Sequence, residues 1–327
     1  MCSKMKKVFC YGVMLIALSL AGVMTPKEAV NAALPKLQET EVTSYRAPDL
    51  TISNAREFSE FANNVTNGND YEGKLVVLSA DIKFDGTTTN NYTPAGYSFR
   101  GIFDGMGHTI SGINVTGKGA AFLFKCVSST AVVKNVTVSD SSFQGSGDVS
   151  GIAYENNGII ENCSVKNCKL SYVDTWGNCR VGGIAADNYG TIRNCYTYNT
   201  TVTSNQDNYV GGIAGINRGG IYNCVNQSNI TSSKGYAGGI VGETYNKTTI
   251  ENCYNVGKVT LTGTSGYAGG IAGYVNDSAI VAHCYTSTSS NSKNFGYMGG
   301  TERDNKAYSE TDMKAAAFLN LLNANRG

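Results

Sequence analysis

The chain has 327 residues, 39 of them Gly and only 4 Pro, and 26 Lys and Arg balance 25 Asp and Glu to a net charge of +1. That balance excludes a nucleic-acid binder, which needs a basic footprint, and a hydrophobic share of 41% excludes an acidic disordered chain. Abundant Gly without abundant Pro or a three-residue period excludes collagen, which leaves a folded chain with many places where a Cβ is unwelcome.

The first element is an address. Lys4, Lys6 and Lys7 precede an apolar run from Val8 to Met24, and Val30-Asn31-Ala32 fits a small-residue cleavage site. This layout predicts a secretory signal peptide over residues 1–32 and a secreted or cell-surface location. A retained membrane anchor is the alternative, because the run is at the lower limit for crossing a bilayer. No second apolar run follows, so the mature chain is expected to have no membrane span. Residues 33–48 carry Pro35 and Pro48 without periodicity and read as a linker.

Residues 49–72 predict a capping helix. Ser53 is the expected N-cap, with Arg56 and Glu57 placed as in a capping box. Phe58, Phe61, Ala62 and Val65 follow at helical spacing.

Residues 73–305 are organised by a repeat. Asn-Cys recurs at Asn162-Cys163, Asn194-Cys195, Asn223-Cys224 and Asn252-Cys253, and His283-Cys284 continues the series, with cysteine steps of 32, 29, 29 and 31 residues. A second marker keeps the same beat. Gly-Gly pairs start at Gly182, Gly211, Gly238, Gly269 and Gly299, with steps of 29, 27, 31 and 30. Ser150-Gly151-Ile152-Ala153 reads as a degenerate earlier copy. Each unit reads as three short strands. In one unit these are Gly211 to Ile216, Ile221 to Val225, and Asn229 to Thr231, with the turn Asn217-Arg218-Gly219-Gly220 after the first. Strands this short bury a core only by stacking. The expected fold is all-β, a parallel β-helix of roughly eight coils about 4.8 Å apart. A β-sandwich also has many short strands, but not the same marker at a fixed interval.

A stack of coils has two ends that need covering. Residues 306–327 supply the second expected cap. Ser309 or Thr311 is placed as N-cap, and Met313, Ala317, Phe318, Leu321 and Leu322 form one apolar stripe.

These repeats resemble those of GLUG-motif proteins of bacterial surfaces and secretions. Leu75 to Leu78 leading into Asp81-Ile82 is similar to that family's opening strand, and Phe99 to Gly112 to its first coil. The resemblance covers about residues 50–325, with Ile in the usual Leu position of the full copies. It implies a right-handed parallel β-helix in an extracellular place, and no enzymatic activity.

Candidate sites follow from the columns that stacking creates. Cys163, Cys195, Cys224, Cys253 and Cys284 form one row. Metal sites need converging ligands, whereas a straight row suits buried filling, so no metal and no cofactor is expected. The adjoining asparagines either form an amide ladder or cap a bend. Cys168 and Cys179 fall outside the beat and either pair as a disulfide or stay free. Tyr209, Tyr236, Tyr267 and Tyr297 each stand two residues before a Gly-Gly pair, with Arg180 in the equivalent place one coil earlier. Outward-facing rings there would bind glycans or surface proteins. Inward or mutually stacked rings would only brace the turn. Asp104, Asp140, Asp148, Asp174, Asp187, Asp207 and Asp277 are scattered singly, and His108 and His283 fall at repeat positions, so no catalytic residue is assigned. The reading is an exported adhesion or surface-interaction protein. The alternatives are a β-helical polysaccharide lyase or hydrolase and a purely structural spacer.

Overall fold

The computed structural model describes residues 46–174, 178–245, 247–291 and 293–309. The expected signal segment, most of the linker and nearly all of the second cap lie outside these residues.

The described chain is a parallel β-solenoid of about eight turns with one helix. Three sheets run the length of it. The first has ten strands, from Leu50–Ile52 through Leu75–Leu78 to Thr301–Arg303. The second has sixteen and includes the long strands Tyr196–Gly211 and Val225–Gly238. The third has eight, from Ala95–Phe99 to Phe295–Met298.

Register explains why the repeat works. Val76, Phe103, Val133, Ile160, Ile192, Ile221, Ile250 and Val281 pair in succession along the first sheet. All eight are fully buried. Alternation along each strand puts every such residue on the inner face. A sheet covered by other strands on that face and stacked on itself is stabilised by this apolar column more than by propensity.

The Asn-Cys marker is the corner between the first and second sheets. Asn135, Asn162, Asn194, Asn223, Asn252 and His283 all have φ between 50° and 55°. Asn tolerates this left-handed geometry better than most residues. Its side chain also bonds along the corner: Asn162 Nδ2 donates to Asn135 Oδ1 at 3.3 Å and Asn223 Nδ2 to Asn194 Oδ1 at 3.2 Å. The following cysteines turn inward and are fully buried. Each thiol donates back to the carbonyl two residues earlier, as Cys224 does to Tyr222 at 3.2 Å.

The Gly-Gly marker is the corner between the second and third sheets. It is not part of a strand interior: one strand ends at Gly211 and the next begins at Ala214. Neither glycine there needs a positive φ. The requirement is close approach. A Cβ on Gly211 would overlap the Ala214 carbonyl, and one on Gly212 would overlap the Gly239 carbonyl of the next coil.

The helix spans Ala55–Thr66, but its N-cap is Asn54, not Ser53. Asn54 Oδ1 accepts from the Glu57 amide at 3.0 Å, while Glu57 reaches back to the Ser53 amide at 2.7 Å. The capping box is therefore displaced by one residue, because Asn is at least as good an N-cap as Ser. Phe58, Phe61, Ala62 and Val65 bury one face against the first coil, where Phe84, Tyr92, Phe99, Phe103 and Phe124 surround them.

Cys168 and Cys179 are free thiols. Cys168 Sγ donates to the Lys166 carbonyl at 3.1 Å and is buried, which pushes its pKa to about 12. It repeats the geometry of the main cysteine row at a second corner, beside Asp140, Asn167 and Asn199, which also have positive φ.

Candidate functional site

The predicted residues gather at the corner of the second and third sheets. Arg180, Tyr209, Tyr236 and Tyr267 pair in succession, so they form one column, with Arg180 in the place expected for it. Their rings face outward and also touch each other: centroids are 5.6 Å apart for Tyr209 and Tyr236, and 5.8 Å for Tyr236 and Tyr267. The rings are thus displayed outward and packed on one another at once.

Tyr297 stands elsewhere. It pairs with Tyr274 in the third sheet. The last coil is short: Phe295 takes the position of Ala272, 23 residues on, whereas Ala272 follows Val241 by 31. Gly299-Gly300 therefore follows the third-sheet strand instead of preceding it. Tyr297 still joins the strip, because its ring lies 5.7 Å from Tyr267 and 4.4 Å from Tyr274. Tyr267 and Tyr297 are the most open members, at 41% exposure each.

Beside this column runs a second one that the sequence reading passed over. Glu155, Asp187, Ile216, Glu243, Tyr274 and Tyr297 occupy one outer position of the third sheet. The signal was present, since Asp187, Ile216, Glu243 and Tyr274 each lie four residues after the second glycine of a pair.

Ion pairs tie the two columns together. Arg180 bonds Asp148 at 2.9 Å and approaches Asp187 at 3.4 Å. Arg218 Nε donates to both Asp187 oxygens at 3.1 and 3.2 Å. Its guanidinium carbon lies 3.6 Å over the Tyr245 ring and 5.3 Å from Tyr189. Asp148 and Asp187 are nearly buried. Burial pushes both carboxyls above their ordinary range, against the pull of the arginines. Glu243 is 8% exposed, and burial raises it too, although Asn276 Nδ2 donates to its Oε1 at 3.0 Å.

The cysteine row is removed from this face. Burial holds the thiols of Cys163, Cys195, Cys224 and Cys253 well above their ordinary range. Protonated thiols are poor metal ligands and poor nucleophiles, and among the described residues no three His, Cys, Asp or Glu side chains converge on a metal position. His108 faces Asp81 at 3.3 Å, and His283 lies at the first corner between Glu251 and Asp304. A shallow polar groove lies on the second sheet, lined by Asn114, Ser142, Gln144, Lys169 and Thr201. Asp140, Asn167 and Asn199 edge it and bond one to the next.

Residues 234–260 match the GLUG motif. This segment holds Tyr236, the Gly238-Gly239 corner, Glu243 and the Asn252-Cys253 corner, so it is one full coil. No curated protein matches the chain. Among solved structures, a Bacteroides ovatus protein described as a "putative immunoglobulin A1 protease" aligns over 92% of this chain and 93% of its own. The TM-score is 0.64 and the identity 21%. A likeness at that identity speaks to the fold. The chain thus carries a GLUG motif, and the matched segment is one turn of a parallel β-solenoid.

Proposed function

We propose that the protein is exported and uses the tyrosine face for adhesive contact with glycans or surface proteins. The observation that carries this reading is the strip itself: Tyr209, Tyr236, Tyr267, Tyr274 and Tyr297 form an unbroken aromatic patch across successive coils. Tyr supplies contact area at low conformational cost. Monomeric proteins rarely display a contiguous patch of this kind without a partner for it. Repetition along the solenoid lets weak contacts act together. Export is supported by the Lys-rich start and the apolar run of residues 8–24. The test is binding to glycan and mucin arrays by the wild type and by a Tyr209, Tyr236, Tyr267, Tyr297 quadruple alanine variant. Unchanged binding by a folded variant removes the strip from the account.

One observation favours a second reading, a carbohydrate-active enzyme. Asp187 and Glu243 share a column two coils apart, so their backbone positions lie roughly 9.6 Å apart by strand spacing and their side chains point to the same face. Inverting glycosidases hold their carboxyls about 6.5–9.5 Å apart. Release of reducing ends from a polysaccharide panel, abolished by Glu243→Gln, would establish this reading in place of the first.

A further inference from the structure

The centre of the tyrosine strip is a face-to-face stack. Tyr236 stacks on Tyr274 at 4.8 Å and 21°, and Tyr297 stacks on it at 4.4 Å and 15°. Tyr236 belongs to the coil before Tyr274 and Tyr297 to the coil after it. The two rings therefore take opposite faces of Tyr274. Tyr267 closes on the pile from the side, tilted by 57° to Tyr274 and 50° to Tyr297. A sugar that stacks needs a free ring face, and the central ring has none. With both faces covered, Tyr274 offers only its edge and hydroxyl, while Tyr267 and Tyr297 are the more open rings beside it. Each hydroxyl is one donor and an acceptor, and the ring edge is the positive end of the quadrupole.

The charges around the stack select among ligands. Glu243 precedes Tyr274 in its own column, and Asp277 lies three residues after it. Burial raises the Tyr274 phenol, and Tyr297, with which it shares a hydrogen bond, Asp277 and Glu243 raise it further. The guanidinium groups nearby are already engaged, Arg180 with Asp148 and Asp187, and Arg218 with Asp187 and Tyr245. An acidic ligand would thus meet carboxylates, with both arginines committed elsewhere.

We infer that the strip recognises an uncharged, hydroxyl-rich glycan through its phenol hydroxyls and not through its ring faces. This rests on the reading of the strip as a contact surface and names the ligand class. Hydroxyls advance along the solenoid by about one coil spacing, roughly 4.8 Å. A linear polysaccharide lying along the axis therefore finds a fresh donor at each step.

The experiment is a glycan array with neutral, amino, sialylated and sulfated members, probed with three forms of the full exported chain. These are the wild type, a Tyr236→Phe, Tyr274→Phe, Tyr297→Phe variant, and the matching alanine variant. Phe keeps the ring pile, so that variant retains the fold even if the alanine form does not. The expected result is binding to neutral glycans, weakened at least tenfold by the three Phe substitutions, since each lost hydrogen bond costs a few-fold in affinity. Wild-type affinity in the Phe variant with loss in the alanine variant overturns the hydroxyl mechanism and leaves the strip as the contact surface. Hits confined to charged glycans, acidic or amino, overturn the ligand class. An array with no hits also overturns it and directs the strip to protein partners. Unchanged binding in the alanine variant overturns the strip itself.

Discussion

Asn188 donates its amide to Asn217 Oδ1 at 2.7 Å, and both side chains are fully buried inside the solenoid. Asn156 donates to Asn188 in the same way, also at 2.7 Å. The amides thus run across three coils, and each also reaches a backbone carbonyl, of Thr191, Gly220 and Gly219 in turn. A buried amide chain of this kind is stabilising only while it is complete.

Asn188→Ala removes the middle member. The Asn156 donor and the Asn217 acceptor each lose a partner, and a cavity opens between them. The expected loss is about 2–4 kcal/mol, read as a lower midpoint in urea unfolding. A midpoint within error of wild type would show that water replaces the amide without cost.

Asp187→Ala removes the nearly buried carboxylate from Arg218, while Arg180 keeps its pair with Asp148. Removing one partner of a buried ion pair costs about 3–5 kcal/mol. A milder effect is expected from Glu161→Ala, whose partner Arg193 is about half exposed. Thermal unfolding of the two variants side by side checks the order.

Glu243 sets a pH dependence of defined sign. Its pKa in the fold is raised, so the folded state holds the proton more tightly than the unfolded chain. Its contribution is complete below the unfolded carboxyl range, about 4.3, and is lost as pH rises through the folded value. Glu243→Gln removes that loss. The variant is expected to be more stable than wild type at pH 7, with the gap closing near pH 4. A gap independent of pH would refute the assignment.

Thiol accessibility follows from burial. Among the eight described cysteines, Cys126 and Cys179 are partly exposed and the other six are buried. Of these eight, a thiol reagent at pH 8 should therefore label Cys126 and Cys179 in the native protein and all of them after unfolding, as peptide mapping would show. Peptides of Cys168 and Cys179 that both stay unlabelled after unfolding would mean that these two are joined.

Gly239→Ala should abolish the local coil. The added methyl would overlap the Gly270 carbonyl and the Asn255 amide, neither of which is the free end of a flexible chain. Gly107→Ala is the control, because its Cβ meets nothing within 4 Å and only its φ of 83° opposes the change. The control is expected to cost about 1 kcal/mol, and circular dichroism with thermal melts separates the two.

Much of the architecture was legible because each corner has a chemical requirement that few residues meet. A left-handed φ at Asn194 and a small inward residue at Cys195 leave a mark in the sequence. The pressure of one coil on the next at Gly212 leaves another. The strand Leu50–Ile52 was hidden, since its three residues become a strand only by pairing with Leu75–Leu78. The displacement of Tyr297 was hidden for a similar reason: nothing local announces that a coil is short. The bonds from Arg218 to Asp187 span 31 residues and depend on which way two side chains lean. Asn217 reads as an ordinary turn residue, because the same amide serves at a surface bend and in a dry ladder.

The uniform register makes the coil a unit of length. Ala214 pairs with Ala185 on one side and with Val241 on the other, and each is a small inner residue of the third sheet. Excising the residues between two successive Gly-Gly corners would bring Ala185 to Val241 and leave every column in phase. Duplication would do the reverse. A lineage can therefore lengthen or shorten the aromatic face by whole steps of about 29 residues without reinventing the core, and reach becomes a heritable trait that varies in integers.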